Sequence, residues 1–333
     1  MREMREMKIS CLTYASLLAA LLATGVAQTA EPAATSYPTK AIQLIVPSAA
    51  GGSIDFTGRL IGEQLSRRWK VPVVANNQTG GGGLIAAQTV KRAAPDGYTL
   101  LMGNNSTLVI PNFVKTDLDA EKDLVPVAMV SQSPYFLYVS NRAPFKSVAE
   151  LIAHAKANPG KLNFATIMNT TLFLAVYRFA DSAGIKLTIV PYPAAAGIMS
   201  ALLRDEVQGY IGSPAGMLEQ VRSGGFRALA VGGTSRSAAL PEVPLGKELG
   251  VNADFESWVS WQAVFAPAGT PQEIVIALSD ALVSIVGNPE VQAIMRKSSV
   301  DPMAVPWQPL AAIATAAIRS SREVVRAAGI QPQ

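Results

Sequence analysis

Short apolar runs recur along the chain, and each of the early runs ends in a polar, glycine-containing loop that leads into a helical pattern. Ile42–Val46 is the first run, and it is followed by the loop Pro47–Ser53 and by apolar residues at helical spacing over 54–69. The same order recurs after Val71–Ala75, and Tyr98–Met102 is a third strand with a similar loop. Strands that alternate with helices predict βαβ units and a parallel sheet, and uninterrupted apolar strands predict helices on both faces of that sheet.

The middle of the chain repeats this pattern, whereas the last third changes it. Further strands are predicted at Tyr135–Val139, Leu162–Thr166, Leu187–Val190, Val207–Ile211 and Arg227–Val231. After an extended aromatic segment at Asp254–Pro267, the apolar spacing predicts helices from 271, from 288 and over Leu310–Ala328, without strands of their own. We expect these late helices to pack on the first sheet, so that the chain builds a second lobe and then returns to the first.

Composition narrows the class of protein. A chain of 333 residues fits about two domains. With 49% hydrophobic and 16% charged residues, it is not a disordered chain, and a net charge of +4 without a basic run argues against nucleic-acid binding. One cysteine and one histidine exclude most Cys/His metal sites and most catalytic sites that need these residues. The histidine, His154, lies within a predicted helix, where we expect a surface or boundary residue rather than a catalyst.

The N-terminus has the three regions of a secretory signal peptide. Basic residues within 1–8 precede an uncharged, apolar stretch, and small residues at 25–27 provide a cleavage site after Ala27. An uncleaved membrane anchor is the less favoured alternative, because the apolar centre is shorter than the ~20 residues that a span needs. Met1, Met4 and Met7 are alternative starts. Residues 1–27, which include Cys11, are therefore predicted to be removed during export to the periplasm.

The loops that follow the early strands carry the candidate chemistry. In an open α/β sheet such loops lie at the carboxyl ends of the strands, where ligands bind, and a helix N-terminus offers unpaired N–H groups and partial positive charge. Gly51 and Gly52 lack Cβ atoms, so a ligand can approach the backbone closely. The sequence thus predicts a cradle for a carboxylate or phosphate, although a tight turn that needs positive φ explains the glycines equally well. Asp55 is expected either to cap the next helix or to order this loop.

Two further features have competing interpretations. Gly81, Gly83 and Ala86 form a weak dinucleotide fingerprint, but no acidic residue follows at the distance that a ribose site requires. A nucleotide-dependent enzyme is therefore a less favoured alternative. Trp258 and Trp261 are expected to lie in a core, with lining of a cleft as the second interpretation.

Several short motifs, spread over nearly the whole chain, resemble one known family. They are Tyr37–Lys40, Val46–Asp55, Asn77–Gly83, Ala94–Leu101, Lys146–Leu151, Pro159–Asn163, Val190–Tyr192, Arg227–Ala230, Leu240–Pro244 and Phe265–Pro271. By the order and spacing of these motifs, the chain resembles the Bug family, the periplasmic solute-binding proteins of tripartite tricarboxylate transporters.

The resemblance implies an α/β, two-lobed type II periplasmic-binding-protein-like fold, with two mostly parallel sheets flanked by helices and a ligand cleft between the lobes. Lobe 1 would comprise residues 37–130 and 233–333, and lobe 2 would comprise 131–232. The resemblance also implies a small carboxylate ligand, held largely by backbone amides and bound water, with no catalysis, cofactor or metal. Permease subunits in the membrane would recognise the closed form. We expect a monomer that binds no nucleic acid.

Carried over by position, the resemblance assigns ligand-binding residues to loops of both lobes. Lobe 1 would contribute Ser48, Ala50, Gly51, Gly52, Ser53, Asp55, Asn104, Asn105, Ser106 and Thr107, with Asp55 ordering the helix. Lobe 2 would contribute Thr166, Asn169, Thr170, Thr171, Tyr192 and Ala194.

Lobe 2 departs from the family pattern at three places. Ile167–Phe173 replaces a Gly/Ser-rich segment that usually carries a histidine, Pro193–Ala195 stands where Lys and two Gly are usual, and Gly212 stands where an acid is usual. Lobe 2 is therefore more apolar, and a second carboxylate buried there without partners would be costly. We predict a ligand with one carboxylate and an apolar or aromatic remainder. A sensor or scaffold homologue that no longer transports is a further alternative.

Overall fold

The computed structural model describes residues 37–214, 216–251, 254–255, 258–298 and 300–332. The predicted signal peptide, residues 1–27, lies outside the described residues. The strands are β1 Ile42–Val46, β2 Val73–Asn77, β3 Thr99–Asn104, β4 Leu124–Pro134, β5 Phe136–Ser140, β6 Asn163–Thr166, β7 Thr188–Pro191, β8 Gly209–Gly212, β9 Phe226–Val231, β10 Val259–Pro267 and β11 Pro302–Pro306. The α-helices are α1 Ser53–Trp69, α2 Leu84–Lys91, α3 Asn105–Val109, α4 Ala120–Asp123, α5 Val148–Ala157, α6 Thr171–Ser182, α7 Ala195–Arg204, α8 Leu218–Arg222, α9 Gln272–Val286, α10 Pro289–Lys297 and α11 Trp307–Ala327.

The first sheet has the strand order β11-β4-β10-β3-β1-β2. Its centre follows the sequence pattern, because β1 pairs in parallel with both β2 and β3. Helices α1 and α9 bury apolar residues against one face, and α2 and α11 bury theirs against the other. Each fully buried large aliphatic side chain contributes about 1.5–3 kcal/mol, so these two layers hold the sheet. The late helices therefore pack on the first sheet, as the sequence predicts.

The second sheet has the order β7-β6-β8-β5-β9 and is formed by the middle of the chain. Helices α5 and α6 cover one face, and α7 covers the other. Trp258 is fully buried in the core beneath α6, where its ring lies 5.5 Å from that of Phe179. We call the first sheet with its helices lobe 1 and the second sheet with its helices lobe 2. The residue limits of the lobes given above remain a prediction.

Both sheets are mixed, whereas mostly parallel sheets were expected. In the first sheet β10 runs antiparallel to β3 and β4, and in the second sheet β5 runs antiparallel to β8 and β9. The reason lies in the connections between the lobes. Only Tyr135 separates β4 from β5, so the chain passes directly from one sheet into the other, and β10 brings it back beside β4.

Three strands are missing or incomplete in the sequence pattern. The eleven-residue β4 is the longest strand, but Pro126 and the polar residues 131–133 interrupt its apolar run. β10 occupies the predicted extended aromatic segment, and β11 lies between late helices for which no strand was expected. These three strands are neighbours in the sheet, with β4 between β10 and β11. Their pairing with each other, rather than local sequence, makes all three of them strands.

The lobes contact each other through an apolar cluster formed by Val109, Phe113, Phe173, Leu174, Val324 and Val325. Within it, the rings of Phe113 and Phe173 meet edge to face with centroids 5.9 Å apart. Among the described residues, no single helix is long and apolar enough to cross a membrane. The pair α9 and α10 meets that criterion only together, and it is bent by 71° between them.

Candidate functional site

The loop between β1 and α1 presents an uncapped helix N-terminus to solvent. Gly52 is the N-cap of α1, and no described side chain caps this end. Gly51, Gly52 and Ser53 are all exposed. The first N–H groups of a helix have no partner inside it, and they carry the positive end of the helix dipole. The geometry therefore suits an anion, as the sequence predicts for this loop.

Asp55 orders this loop from beneath. Its carboxylate is buried and accepts hydrogen bonds from the Gly51 amide at 2.9 Å, from Arg59 Nε at 2.9 Å and from Asn77 Nδ2 at 2.8 Å. Burial opposes ionisation, but the hydrogen bonds from Arg59, Gly51 and Asn77 outweigh it and lower the pKa of Asp55 to about 2. Of the two roles weighed for Asp55, the contacts support ordering of the loop. The Gly51 N–H is engaged by Asp55, so Gly51 contributes its left-handed backbone, with φ of 85°.

Asn77 and Arg59 complete this network, and sequence reasoning did not nominate either residue. Asn77 Nδ2 also donates to the carbonyl oxygen of Ser48 at 2.9 Å, and Arg59 Nη2 donates to Asn77 Oδ1 at 2.8 Å. The spacing of Asp55 and Arg59, four residues apart on one helix, was the available signal. Asn77 ends the neighbouring parallel strand, which brings it beside the loop.

The loop after β3 uses its polar side chains for structure. Asn104 caps α3 by accepting from the Thr107 amide at 2.9 Å and from the Thr107 hydroxyl at 3.0 Å. Asn105 is buried and donates to the Val259 carbonyl at 2.7 Å. Ser106 contacts Thr171 of lobe 2, and Asn105 also lines a cavity between the lobes. Most of the side chains that the sequence analysis assigned to the site in this loop are thus already engaged within lobe 1.

Predicted site residues of the two lobes meet at the N-terminus of α6. The hydroxyls of Ser106 and Thr171 are 3.1 Å apart, and Thr171 Oγ1 is 2.9 Å from the hydroxyl of Tyr135. Thr170 caps α6 by accepting from the Leu172 amide, and Asn169 adopts a left-handed backbone with φ of 61°. The Ser106–Thr171–Tyr135 contact, which we call the interlobe hydroxyl cluster, links the lobes directly.

The remaining predicted residues of lobe 2 lie at the end of β6 and in the loop that follows β7. The Tyr192 amide donates to the Thr166 carbonyl at 2.9 Å, and exposed Ala194 is the N-cap of α7, which no described side chain caps. Gly212, where the family usually has an acid, is covered by the ring of Tyr210. A Cβ atom at Gly212 would lie 2.1 Å from that ring, so a side chain there would require Tyr210 to move.

Four buried polar atoms near these loops have no hydrogen-bond partner among the described residues. They are Ser48 Oγ, Asn105 Oδ1, Thr166 Oγ1 and Gln262 Oε1. Gln262 was not among the site residues predicted from the sequence. A polar residue between the apolar Trp261 and Ala263 could have pointed to it. Its Nε2 donates to Ser53 Oγ at 2.9 Å. Because an unpaired buried polar group costs about 1–3 kcal/mol, such atoms are expected where a ligand or ordered water binds.

The glycine run at 80–83 has a packing explanation. All four residues have positive φ, and a Cβ atom at Gly82 would lie 2.2 Å from Ile110 Cδ1. The run therefore needs glycine for its backbone and for its close approach to Ile110.

His154 packs beside Phe145, with ring centroids 5.7 Å apart. Within the described part of the chain, no group of three potential metal ligands occurs.

A cavity of about 350 Å³ lies between the lobes on the α11 side. Its walls include Asn105 and Trp261 of lobe 1 and Thr171 and Leu174 of lobe 2, but no residue of the β1–α1 loop. Trp261 is 4% exposed, so it contributes to the core of lobe 1 as well as to this cavity.

Solved structures with the same arrangement define the class of protein. The Rhodopseudomonas palustris protein Rpa4515, solved with adipate, is 30% identical, has a TM-score of 0.72 and covers 89% of this chain and 100% of its own. MatC from Rhodopseudomonas palustris, solved with bound malate, is 25% identical, has a TM-score of 0.66 and covers 87% of this chain and 100% of its own. The fold is that of the two-lobed periplasmic solute-binding proteins, a class that includes the periplasmic binding protein BugD and is not a class of enzymes.

The sequence comparisons give the family. The family model of the tripartite tricarboxylate transporter family receptor, TctC, matches residues 57–330, and the chain belongs to this family. A UPF0065 protein of Cupriavidus necator is 32% identical over 318 residues, which cover 95% of this chain and 96% of that protein. BugT of Bordetella pertussis is 34% identical over 257 residues, which cover 75% and 77%. The resemblance to the Bug family is thereby confirmed, and the enzyme alternative is not supported.

Proposed function

We propose that the protein captures a small organic carboxylate in the cleft between its lobes. The observation that carries this proposal is the exposed, uncapped N-terminus of α1, held in place by the buried Asp55 network. Such a terminus supplies N–H donors and partial positive charge without a cationic side chain. Rpa4515 was solved with adipate and MatC with bound malate, and these ligands of related proteins support a carboxylate as the class of ligand here.

The proposed ligand has one carboxylate and an apolar or aromatic remainder. Lobe 2 offers Met168, which is 36% exposed, and exposed Ala194 at the loops that face the cleft in the proposed arrangement. Gly212 adds no charge there, and the ring of Tyr210 occupies the space that a side chain would need. Met168, Ala194 and Gly212 offer a second carboxylate no polar side chain, so its burial there would depend on the backbone amides at the α7 N-terminus.

Ligand capture would serve transport across the inner membrane. We propose that the mature protein acts as a monomer in the periplasm after removal of residues 1–27. Closure of the lobes over the ligand would then create the surface that the permease subunits of a tripartite transporter recognise. Membership of the TctC family supports this partnership.

A thermal-shift screen tests the ligand class. We expect phenylacetate and related aromatic monocarboxylates to raise the unfolding temperature more than citrate does, since a bound ligand stabilises the folded state by mass action. The largest stabilisation by citrate, with none by aromatic monocarboxylates, would contradict the proposed ligand class.

Gly52→Trp tests the location of the site. Gly52 has φ of −75°, and a Cβ atom there meets only ordinary contacts at 3.5 Å or more, so a side chain fits without backbone strain. The indole would cover the α1 N-terminus and is expected to lower ligand affinity at least 100-fold, which we would measure by calorimetry. Ala157→Trp, at an exposed position of α5, is the control. Unchanged affinity in Gly52→Trp would place the ligand elsewhere.

A further inference from the structure

Gln262 stands where a polar residue is unexpected. It lies in β10 opposite Asn104 of β3 and Ser131 of β4, at the edge of the first sheet that carries the site loops. Its neighbours on the same face, Val264 and Ala266, belong to the core beneath α1 and α9. The apolar face of β10 therefore changes to an amide directly beneath the N-terminus of α1.

The contact between Gln262 and Ser53 leaves the hydroxyl proton of Ser53 available for donation. Gln262 is 9% exposed, and its Nε2 donates to Ser53 Oγ at 2.9 Å. Ser53 is exposed at the first position of α1. Because Ser53 Oγ accepts from the amide, its own proton remains free for an acceptor on the solvent side. An anion held at the α1 N-terminus is such an acceptor.

The side-chain oxygen of Gln262 supports a role for this residue beyond packing. Gln262 Oε1 is buried and has no partner among the described residues. Leaving a buried amide oxygen unpaired is unfavourable, and an apolar residue at this place in a core strand would avoid that cost. The gain that offsets it lies in the Nε2 contact to Ser53.

We propose that Gln262 is a positioning residue of the carboxylate site, which holds the Ser53 hydroxyl as a hydrogen-bond donor to the ligand. This inference rests on the proposed function, since it assumes a carboxylate at the α1 N-terminus. It adds a side-chain donor to a site otherwise built from backbone amides, and it places the control of that donor on a strand 209 residues away in sequence.

A double-mutant cycle tests the proposal, with affinities for phenylacetate and adipate measured by calorimetry. We expect Gln262→Met to weaken binding about fivefold and Ser53→Ala about tenfold, because each removes one hydrogen-bond contribution. The double variant should lose about tenfold, since Gln262 acts only through Ser53. Independent losses that multiply to about fiftyfold, or no loss in Gln262→Met, would overturn the proposal.

Gln262→Glu gives a second measurement that a merely structural role would not produce. A carboxylate can only accept from Ser53, so the hydroxyl would turn away from the ligand, and the added charge would repel it. We expect a loss of about 100-fold for either probe, larger than in Gln262→Met. Gln43→Glu, at the exposed far end of β1, carries the same charge change and should bind like the wild type.

The outcomes separate this inference from the proposed function. If the wild type binds neither phenylacetate nor adipate, both are wrong. If the wild type binds one of them, Gly52→Trp abolishes binding and Gln262→Glu binds as tightly as the wild type, only the role of Gln262 is wrong. Circular dichroism melting of each variant shows that a loss of affinity is not a loss of folded protein.

Discussion

Asp55→Asn is expected to destabilise the protein far more than an ordinary loss of one surface charge. The buried carboxylate accepts from Gly51, Arg59 and Asn77 at 2.8–2.9 Å. An asparagine can accept through only one oxygen, so at least one of these donors would face an NH2 group, and the remaining bonds would lose their ionic partner. Hydrogen bonds to charged groups contribute about 1.5–3 kcal/mol, against about 0.5–1.5 kcal/mol for neutral ones. We therefore expect a loss of about 3 kcal/mol in the free energy of unfolding.

Urea denaturation at pH 7 measures this loss. With a denaturant dependence of about 3 kcal/mol per molar urea, the midpoint should fall by about 1 M. Glu63→Gln is the matched control, because Glu63 pairs with Arg67 on the same helix but is 57% exposed. A surface pair of this kind contributes less than about 0.5 kcal/mol. Equal effects of Asp55→Asn and Glu63→Gln would refute the reasoning.

The pH dependence gives the same test a second form. The folded-state pKa of Asp55, about 2, lies below its ordinary value of 3.8. Its contribution to stability is therefore complete above about pH 4 and is lost as the pH falls towards 2. The stability difference between the wild type and Asp55→Asn should narrow over this range. A difference that stays constant between pH 5 and pH 2 would show that the carboxylate charge is not what stabilises the loop.

Two further changes test the contact between the lobes and the glycine run. Thr171→Val removes the hydroxyl that joins Ser106 and Tyr135 across the lobes. It should weaken lobe closure by about 1–2 kcal/mol and lower phenylacetate affinity roughly tenfold in calorimetry. Unchanged affinity would show that this cluster does not favour closure. Gly82→Ala combines a φ of 64° with a Cβ atom only 2.2 Å from Ile110 Cδ1, whereas Gly224→Ala has a φ of 78° and open space. Both should lose about 1–2 kcal/mol to backbone strain, but Gly82→Ala should lose at least 1 kcal/mol more in thermal unfolding, and equal losses would contradict the packing role.

Local pattern was sufficient for much of the fold. The β1, β3 and β6 strands and helix α1 agree with the periodicity to within about two residues at each end. The glycines of the β1–α1 loop and the Asp55 carboxylate indicated where an anion site could form. These features are predictable because hydrophobic spacing, glycine conformations and helix starts depend on residues close together in sequence.

The missed strands and site residues share one cause. β4 carries Pro126 and a polar end, so its strand character comes from pairing with β10 and β11 rather than from its own pattern. Asn77 joins the Asp55 network only because β2 lies parallel to β1. Gln262 reaches Ser53 because β10 enters the first sheet beside β3. No local signal specifies these neighbours.

The sequence by itself determined the α/β class, the loops at the ends of the early strands and, through its motifs, the family. Only the tertiary structure decided which of the polar residues in those loops cap helices and which make contacts across the lobes. Asn104, Thr107 and Thr170 cap helices, while Ser106 meets Thr171 across the lobes. The physical reason is that a hydrogen bond depends on distance and direction between atoms. Strand order and side-chain packing set both of these, and a composition or a spacing along the chain does not.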